Sequence, residues 1–136
     1  MNKGIKLATG DWINFMNAGD LFYNLSVLER LHKNFSVDLS ILSGKVAMFY
    51  DKSFMDEYGD QNVIPHQATF FNSKDIKQLK FNTKYKILAD GELLSRMKLL
   101  EHYCCQYVNI FIAKFQLGGV GNNPKYLFKR IKNSGK

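Results

Sequence analysis

The chain has 136 residues, 46% hydrophobic and 23% charged, with a formal net charge of +7. The length suits one domain, the composition is ordinary for a soluble globular protein, and no apolar run approaches the roughly 20 residues that span a bilayer. The positive balance favours a polyanionic partner: nucleic acid, an anionic membrane face or a phosphorylated substrate.

Residues 1–9 read as a short helix, with Ile5 and Leu7-Ala8 able to face a core, broken at Gly10-Asp11. Residues 12–16, Trp-Ile-Asn-Phe-Met, read as a buried strand, and 17–20, Asn-Ala-Gly-Asp, as the turn that ends it. Asn24 or Ser26 caps a helix over 27–32, in which Leu25, Leu28 and Leu31 recur at helical spacing. Residues 38–50 predict a strand with a bulge or turn at Ser43-Gly44, and 51–63 a polar loop. Ile64-Pro65-His66-Gln67 enters a strand over 68–71, and Asn72-Ser73 caps a helix over 74–79. Residues 80–87 predict an irregular link anchored by Phe81 and Tyr85. A helix follows from Asp90 through Leu93, Leu94, Met97 and Leu99-Leu100, and a strand occupies 103–115. Gly118-Gly119-Val120-Gly121 reads as a loop, and Pro124 opens a basic final helix with Lys125, Lys129, Arg130 and Lys132. This alternation of strands and helices is α/β, divided into a body over 1–116 and a glycine-containing, basic tail over 117–136. Cys104 and Cys105 are adjacent and have no metal-ligand spacing, which reads as a reduced pair in a cytosolic protein.

Three constellations can carry chemistry. Asn17-Ala18-Gly19-Asp20 delivers a carboxylate on a glycine-containing turn at the end of an apolar strand, a common construction for a metal or phosphate site, although an ordinary turn has the same look. Pro65-His66-Gln67 places an imidazole and an amide at the mouth of an apolar strand; a lone His is also a common structural residue. Ala89-Asp90-Gly91-Glu92-Leu93-Leu94-Ser95-Arg96 puts an acid at a helix start, where the helix N-terminus favours negative charge. The same residues also fit a helix cap at Asp90 and an i,i+4 surface pair of Glu92 with Arg96. The Gly118–Gly121 run lacks the Lys-Ser/Thr of a phosphate-binding P-loop.

Taken in order, these segments resemble the second half of a family 2 glycosyltransferase of bacterial surface-polysaccharide biosynthesis, over residues 1 to about 121. The resemblance implies the C-terminal half of a GT-A fold, a mixed sheet flanked by helices, with the first βαβ units that hold the nucleotide base absent from this chain. It implies transfer of a sugar, with inversion, from a nucleotide-sugar donor to a glycan or lipid-linked acceptor hydroxyl. By the same match Asp90 is the general base and Asp20 the ligand of a divalent cation, Mg²⁺ or Mn²⁺, while Asn17, His66, Gln67 and Glu92 contact donor or acceptor. The family's acidic motif commonly holds further carboxylates where this chain has Asn17 and Gly19, so Asp20 alone keeps one. The resemblance implies a cytoplasmic enzyme, with the basic tail suited to the inner face of an anionic membrane.

The competing reading is a non-catalytic basic module that binds a membrane surface or single-stranded nucleic acid, given the net charge and the many aromatics. The basic residues are not interleaved with the aromatics and no nucleic-acid motif is present, so no nucleic acid is expected.

Overall fold

The structure, a computed structural model, describes residues 1–117. In chain order the elements are α1 (Asn2–Leu7), β1 (Trp12–Asn14), β2 (Asp20–Phe22), α2 (Val27–Leu31), β3 (Ile41–Tyr50), β4 (Ser53–Tyr58), β5 (Thr69–Asn72), α3 (Ser73–Leu79), α4 (Ala89–Met97) and β6 (Cys105–Leu117). Short 3-10 turns occupy His32–Asn34 and His66–Ala68. The six strands form one sheet in the order β1-β5-β3-β6-β2, with β4 paired to the far half of β3. Among the described residues only β3 and β6 run parallel, and the other pairs are antiparallel. The chain is therefore α/β with a mixed sheet, as expected.

Alternation along the central strands builds two cores. On β3, Ile41 faces one side and Leu42 the other; on β5, Phe71 and Phe70 divide in the same way. One core collects Ile5, Ile13, Ile76, Leu93 and Met97 from α1, β1, α3 and α4, and the other gathers Val27 and Leu31 of α2 with Ala68 and Ile112. Strands covered on both faces are rich in apolar residues, which is why 68–71 and the two apolar stretches of 38–50, on either side of Ser43-Gly44-Lys45, were legible as strands. Each fully buried Leu, Ile or Phe contributes about 1.5–3 kcal/mol over its exposed state.

Local chemistry sets the element ends. Asn72 caps α3, its side-chain oxygen accepting from the Lys74 N–H at 3.0 Å. β3 slips register against β6 between Ser43 and Lys45, the bulge expected at Ser43-Gly44. α4 buries Leu93 and Met97, one turn apart, while Leu99 lies exposed beyond its end. Of the two anchors expected in the link over 80–87, Phe81 is buried and Tyr85 is half-exposed.

Three expectations are corrected. Residues 51–63 are not all loop: Ser53–Tyr58 forms β4, a hairpin partner of β3 across Asp51-Lys52, with Asp51 in the left-handed region at φ 54°. β4 is exposed on both faces until Tyr58, so no apolar alternation marks it; backbone pairing with β3 holds it in place. β2 is a further strand, three residues long, directly after the Asn17–Asp20 turn. α2 buries Val27 and Leu31, whereas Leu25 is fully exposed and Leu28 half-exposed, so of the three spaced leucines only Leu31 faces the core. The segment 118–136, with its glycine run and basic tail, lies outside the described residues.

Candidate functional site

The turn after β1 closes on itself. The Asp20 N–H donates to the Asn17 carbonyl at 3.0 Å, and the Asn17 N–H donates back to Asp20 Oδ2 at 3.1 Å. Gly19 sits at φ 92°, a conformation that a side chain would strain, so the turn needs its glycine. Asp20 is thereby buried at the head of β2, opposite Phe115 of β6. Its second oxygen, Oδ1, is sealed from solvent and has no hydrogen-bond partner, the one such side-chain atom among the described residues. Burial raises the Asp20 pKa above the ordinary 3.8, opposed by the Asn17 N–H and the nearby His66.

His66 enters from the 3-10 turn after Pro65. Two hydrogen bonds onto the Pro65 carbonyl fix that turn, one from the Ala68 N–H at 3.1 Å and one from Thr69 Oγ1 at 2.6 Å. Asn17 Nδ2 lies 3.0 Å from His66 Nε2. An amide nitrogen can only donate, so Nε2 accepts and the ring proton sits on Nδ1. Nδ1 faces Asp90 Oδ2 at 3.5 Å, longer than an ordinary hydrogen bond. Asp90 occupies the second position of α4, whose N-cap is Leu88 at φ 64°, so Asp90 is not itself the cap. His66 chiefly, helped by the N–H groups at the helix start and opposed by burial, holds the Asp90 carboxyl below 3.8.

Asn17 is thus the joint of the site. Its main chain holds Asp20 and its side chain holds His66, which in turn faces Asp90. A small cleft of about 190 Å³ is lined by Asn17, His66 and Asp90 together with Phe15, Phe81 and Lys86, while Asp20 and Gln67 lie outside its lining. Gln67 is anchored beside it: its carbonyl accepts from Asn14 Nδ2 at 3.0 Å and its side-chain Oε1 accepts from the Tyr58 hydroxyl at 3.0 Å.

Glu92 takes another direction. Its carboxylate grips Arg96 through Oε1–Nε at 2.5 Å and Oε2–Nη2 at 2.9 Å. Arg96 also donates to the Leu79 and Lys80 carbonyls, closing the end of α3, and Glu92 is not part of the cleft lining. The structure therefore links Asn17 to both Asp20 and His66, sets His66 facing Asp90, and engages Glu92 in the α3–α4 junction.

Two contributors were missed. Asn14 holds the Gln67 main chain and Tyr58 its side chain, and Asn14 also donates to the Thr69 carbonyl at 2.9 Å. Asn14 carries a signal in the sequence: an amide inside an apolar strand must find partners. Tyr58 carries none, because its strand was not visible. Among the described residues no group of three or more His, Cys, Asp or Glu is placed to hold a metal ion, and no helix is long and apolar enough to cross a membrane. Cys104 and Cys105 are free thiols.

No model of a protein family matches the chain. Its sequence is similar to a PGL/p-HBAD biosynthesis glycosyltransferase of Mycobacterium bovis (strain BCG / Pasteur 1173P2), 26% identical over 96% of this chain and 56% of the relative. A relative of the same name in Mycobacterium tuberculosis (strain ATCC 25177 / H37Ra) matches equally. An uncharacterised glycosyltransferase of Mycobacterium tuberculosis (strain CDC 1551 / Oshkosh) is 26% identical over 99% of this chain and 56% of its own length. The similarity is to glycosyltransferases. The chain spans about half the length of the curated relatives it matches. These distant matches support a glycosyltransferase, and the mixed α/β sheet is consistent with part of such a fold.

Proposed function

We propose that this chain carries the acid-bearing part of a family 2, GT-A-type glycosyltransferase that moves a sugar, with inversion, from a nucleotide-sugar to an acceptor hydroxyl. The observation that carries the reading is the Asn17–His66 bridge, which joins the turn holding Asp20 to the helix holding Asp90.

In this reading Asp90 is the general base. Its carboxyl, held low in pKa and 41% exposed, is ionised at neutral pH and open to a ligand. A carboxylate of low pKa is a weak base for an alcohol. It serves here because the attacking oxygen becomes acidic only as its bond to the sugar carbon forms, so the proton moves late. His66 Nδ1–H steadies the carboxylate. Asp20 Oδ1, buried without a partner, is the oxygen offered to a divalent cation. Mg²⁺ or Mn²⁺ is bound with one or two protein carboxylates when phosphate oxygens and water complete its shell, so a single Asp fits a cation that arrives with a diphosphate. Such a cation would offset the charge on the departing nucleoside diphosphate. Asn17, His66 and Gln67 shape the surrounding surface, and Glu92, through Arg96, sets the angle of α4 and so of Asp90. The acceptor is a glycan or a lipid-linked sugar, the place of action the cytoplasm or the inner membrane face, and the basic residues of 125–136 suit anionic lipid.

The test is transfer by the protein purified from its own cells at its native length, assayed against a panel of nucleotide-sugars. Asp90→Asn should lower kcat by about 10²–10⁴-fold. Donor affinity should change by less than about threefold, since the substitution removes a group used only in the transition state. Undiminished turnover in that variant removes Asp90 from the mechanism.

A further inference from the structure

Gln67 is held twice, and both holds leave the same group free. Asn14 Nδ2 takes up its main-chain oxygen at 3.0 Å, and the Tyr58 hydroxyl takes up its side-chain oxygen at 3.0 Å. The Gln67 side-chain nitrogen has no partner among the described residues, and it is not among the sealed, unsatisfied atoms. The residue as a whole is 8% exposed, which is low for an amide with unused donors.

We propose that Tyr58 is a positioning residue of this site: by donating to Gln67 Oε1 it fixes the amide so that the N–H₂ group, and not the carbonyl, is what Gln67 offers a ligand. The ligand group that pairs with it is an acceptor, a phosphate or sugar oxygen. This rests on the reading of the cleft as a nucleotide-sugar site.

Geometry places Tyr58 for the task. It is the last residue of β4 and the first on that strand to turn inward. The chain behind it is locked: Gly59, at φ 111°, sits so close to β3 that an added Cβ would lie 2.6 Å from the Gly44 carbonyl oxygen, and the Tyr107 hydroxyl reaches the Gly59 carbonyl at 3.3 Å. The Tyr58 hydroxyl also senses both site acids. Burial first, and then the charges of Asp20 and Asp90, push it up to about 12 against the pull of Gln67. It therefore stays protonated throughout the neutral range and remains a donor. The β3–β4 hairpin, otherwise an exposed edge, thereby acquires a reason to sit beside the site.

The experiment has two arms. The first needs no ligand: ¹⁵N relaxation of the side-chain amides, with the Gln67 pair assigned by its disappearance in Gln67→Ala. In the wild type the Gln67 N–H₂ should be ordered like rigid backbone; in Tyr58→Phe its order parameter should fall below about 0.6 while the Asn14 amide stays rigid. A Gln67 amide equally rigid without the hydroxyl overturns the proposal, whether or not the protein binds nucleotide. The second arm measures the Kd of UDP, GDP and CDP with Mn²⁺. Tyr58→Phe should weaken the diphosphate that binds by about tenfold, and in a Gln67→Ala background it should weaken it no further. Losses that add in the double variant mean that Tyr58 acts by packing and contradict the proposal. A wild type that binds none of the three overturns the nucleotide-sugar reading, and the relaxation arm then decides the role of Tyr58 by itself.

Discussion

Two carboxylates are buried among the described residues, and they are treated oppositely. Asp75, in the first turn of α3, gives an oxygen to His102 Nε2 at 2.7 Å, and neither of its oxygens is left sealed without a partner. Asp20, at the end of the β1 turn, is nearly as buried, but Oδ1 is left without any partner. Leaving a buried carboxylate oxygen unpaired costs more than an ordinary hydrogen bond returns, so a fold that served stability alone would pair both. The contrast separates an acid that ties a helix to the turn before β6 from an acid left with one buried oxygen unpaired.

The comparison can be broken by substitution. The larger effect on stability belongs to Asp75. Asp75→Ala removes the His102 contact and an acid from a helix start, and should cost about 2 kcal/mol and lower the Tm by roughly 6 °C, read by thermal denaturation. An unchanged Tm would mean that the His102 pair is ornamental.

The smaller effect has the opposite sign. Asp20→Asn keeps an oxygen for the Asn17 N–H and removes a buried charge, so at neutral pH it should stabilise by about 1 kcal/mol, or some 3 °C. The pH dependence follows from the raised pKa of Asp20. A carboxyl whose folded pKa lies above its unfolded value favours the fold when protonated, and that advantage is lost as pH rises through the folded value. The gain from Asp20→Asn should therefore be largest at neutral pH and shrink as pH falls towards 3.8. Asp90, with its lowered pKa, behaves in reverse: its contribution is present above 3.8 and lost as pH falls below it. A gain from Asp20→Asn that grows on acidification contradicts the account of Asp20.

What the sequence disclosed follows from the same physics. The strands covered on both faces, β3 and β5, were legible because double burial favours apolar residues, broken in β3 only at Ser43-Gly44-Lys45, and the Asn72 cap because capping needs a particular side chain at a particular place. β4 was not legible, because an edge strand exposed on both sides has no pattern to show and is held by the backbone of its neighbour. The face of α2 was judged only in part, because leucines at 25, 28 and 31 look like a stripe, whereas Leu31 is buried together with Val27 and the other two leucines are exposed. Asn17, Asp20, His66 and Asp90 were candidates through the family resemblance, and in the structure Asn17 contacts both Asp20 and His66, while His66 faces Asp90. What order along the chain could not convey was the joint: one Asn serving two partners through main chain and side chain, and a tyrosine arriving from an unseen strand. The i,i+4 spacing of Glu92 and Arg96 did show, and that pair is what the fold uses to close α3 against α4.

The central claim is that Asp20 and Asp90 face one ligand across the Asn17–His66 bridge. Paramagnetic Mn²⁺, added at substoichiometric amounts with a nucleoside diphosphate to the ¹⁵N-labelled protein, tests it most directly. The account predicts selective broadening of the Asn17, Asp20, His66 and Asp90 amide signals, with those of Asp75 and His102 left sharp. Broadening centred on Asp75, or an Asp20 signal untouched while nucleotide is demonstrably bound, would contradict it.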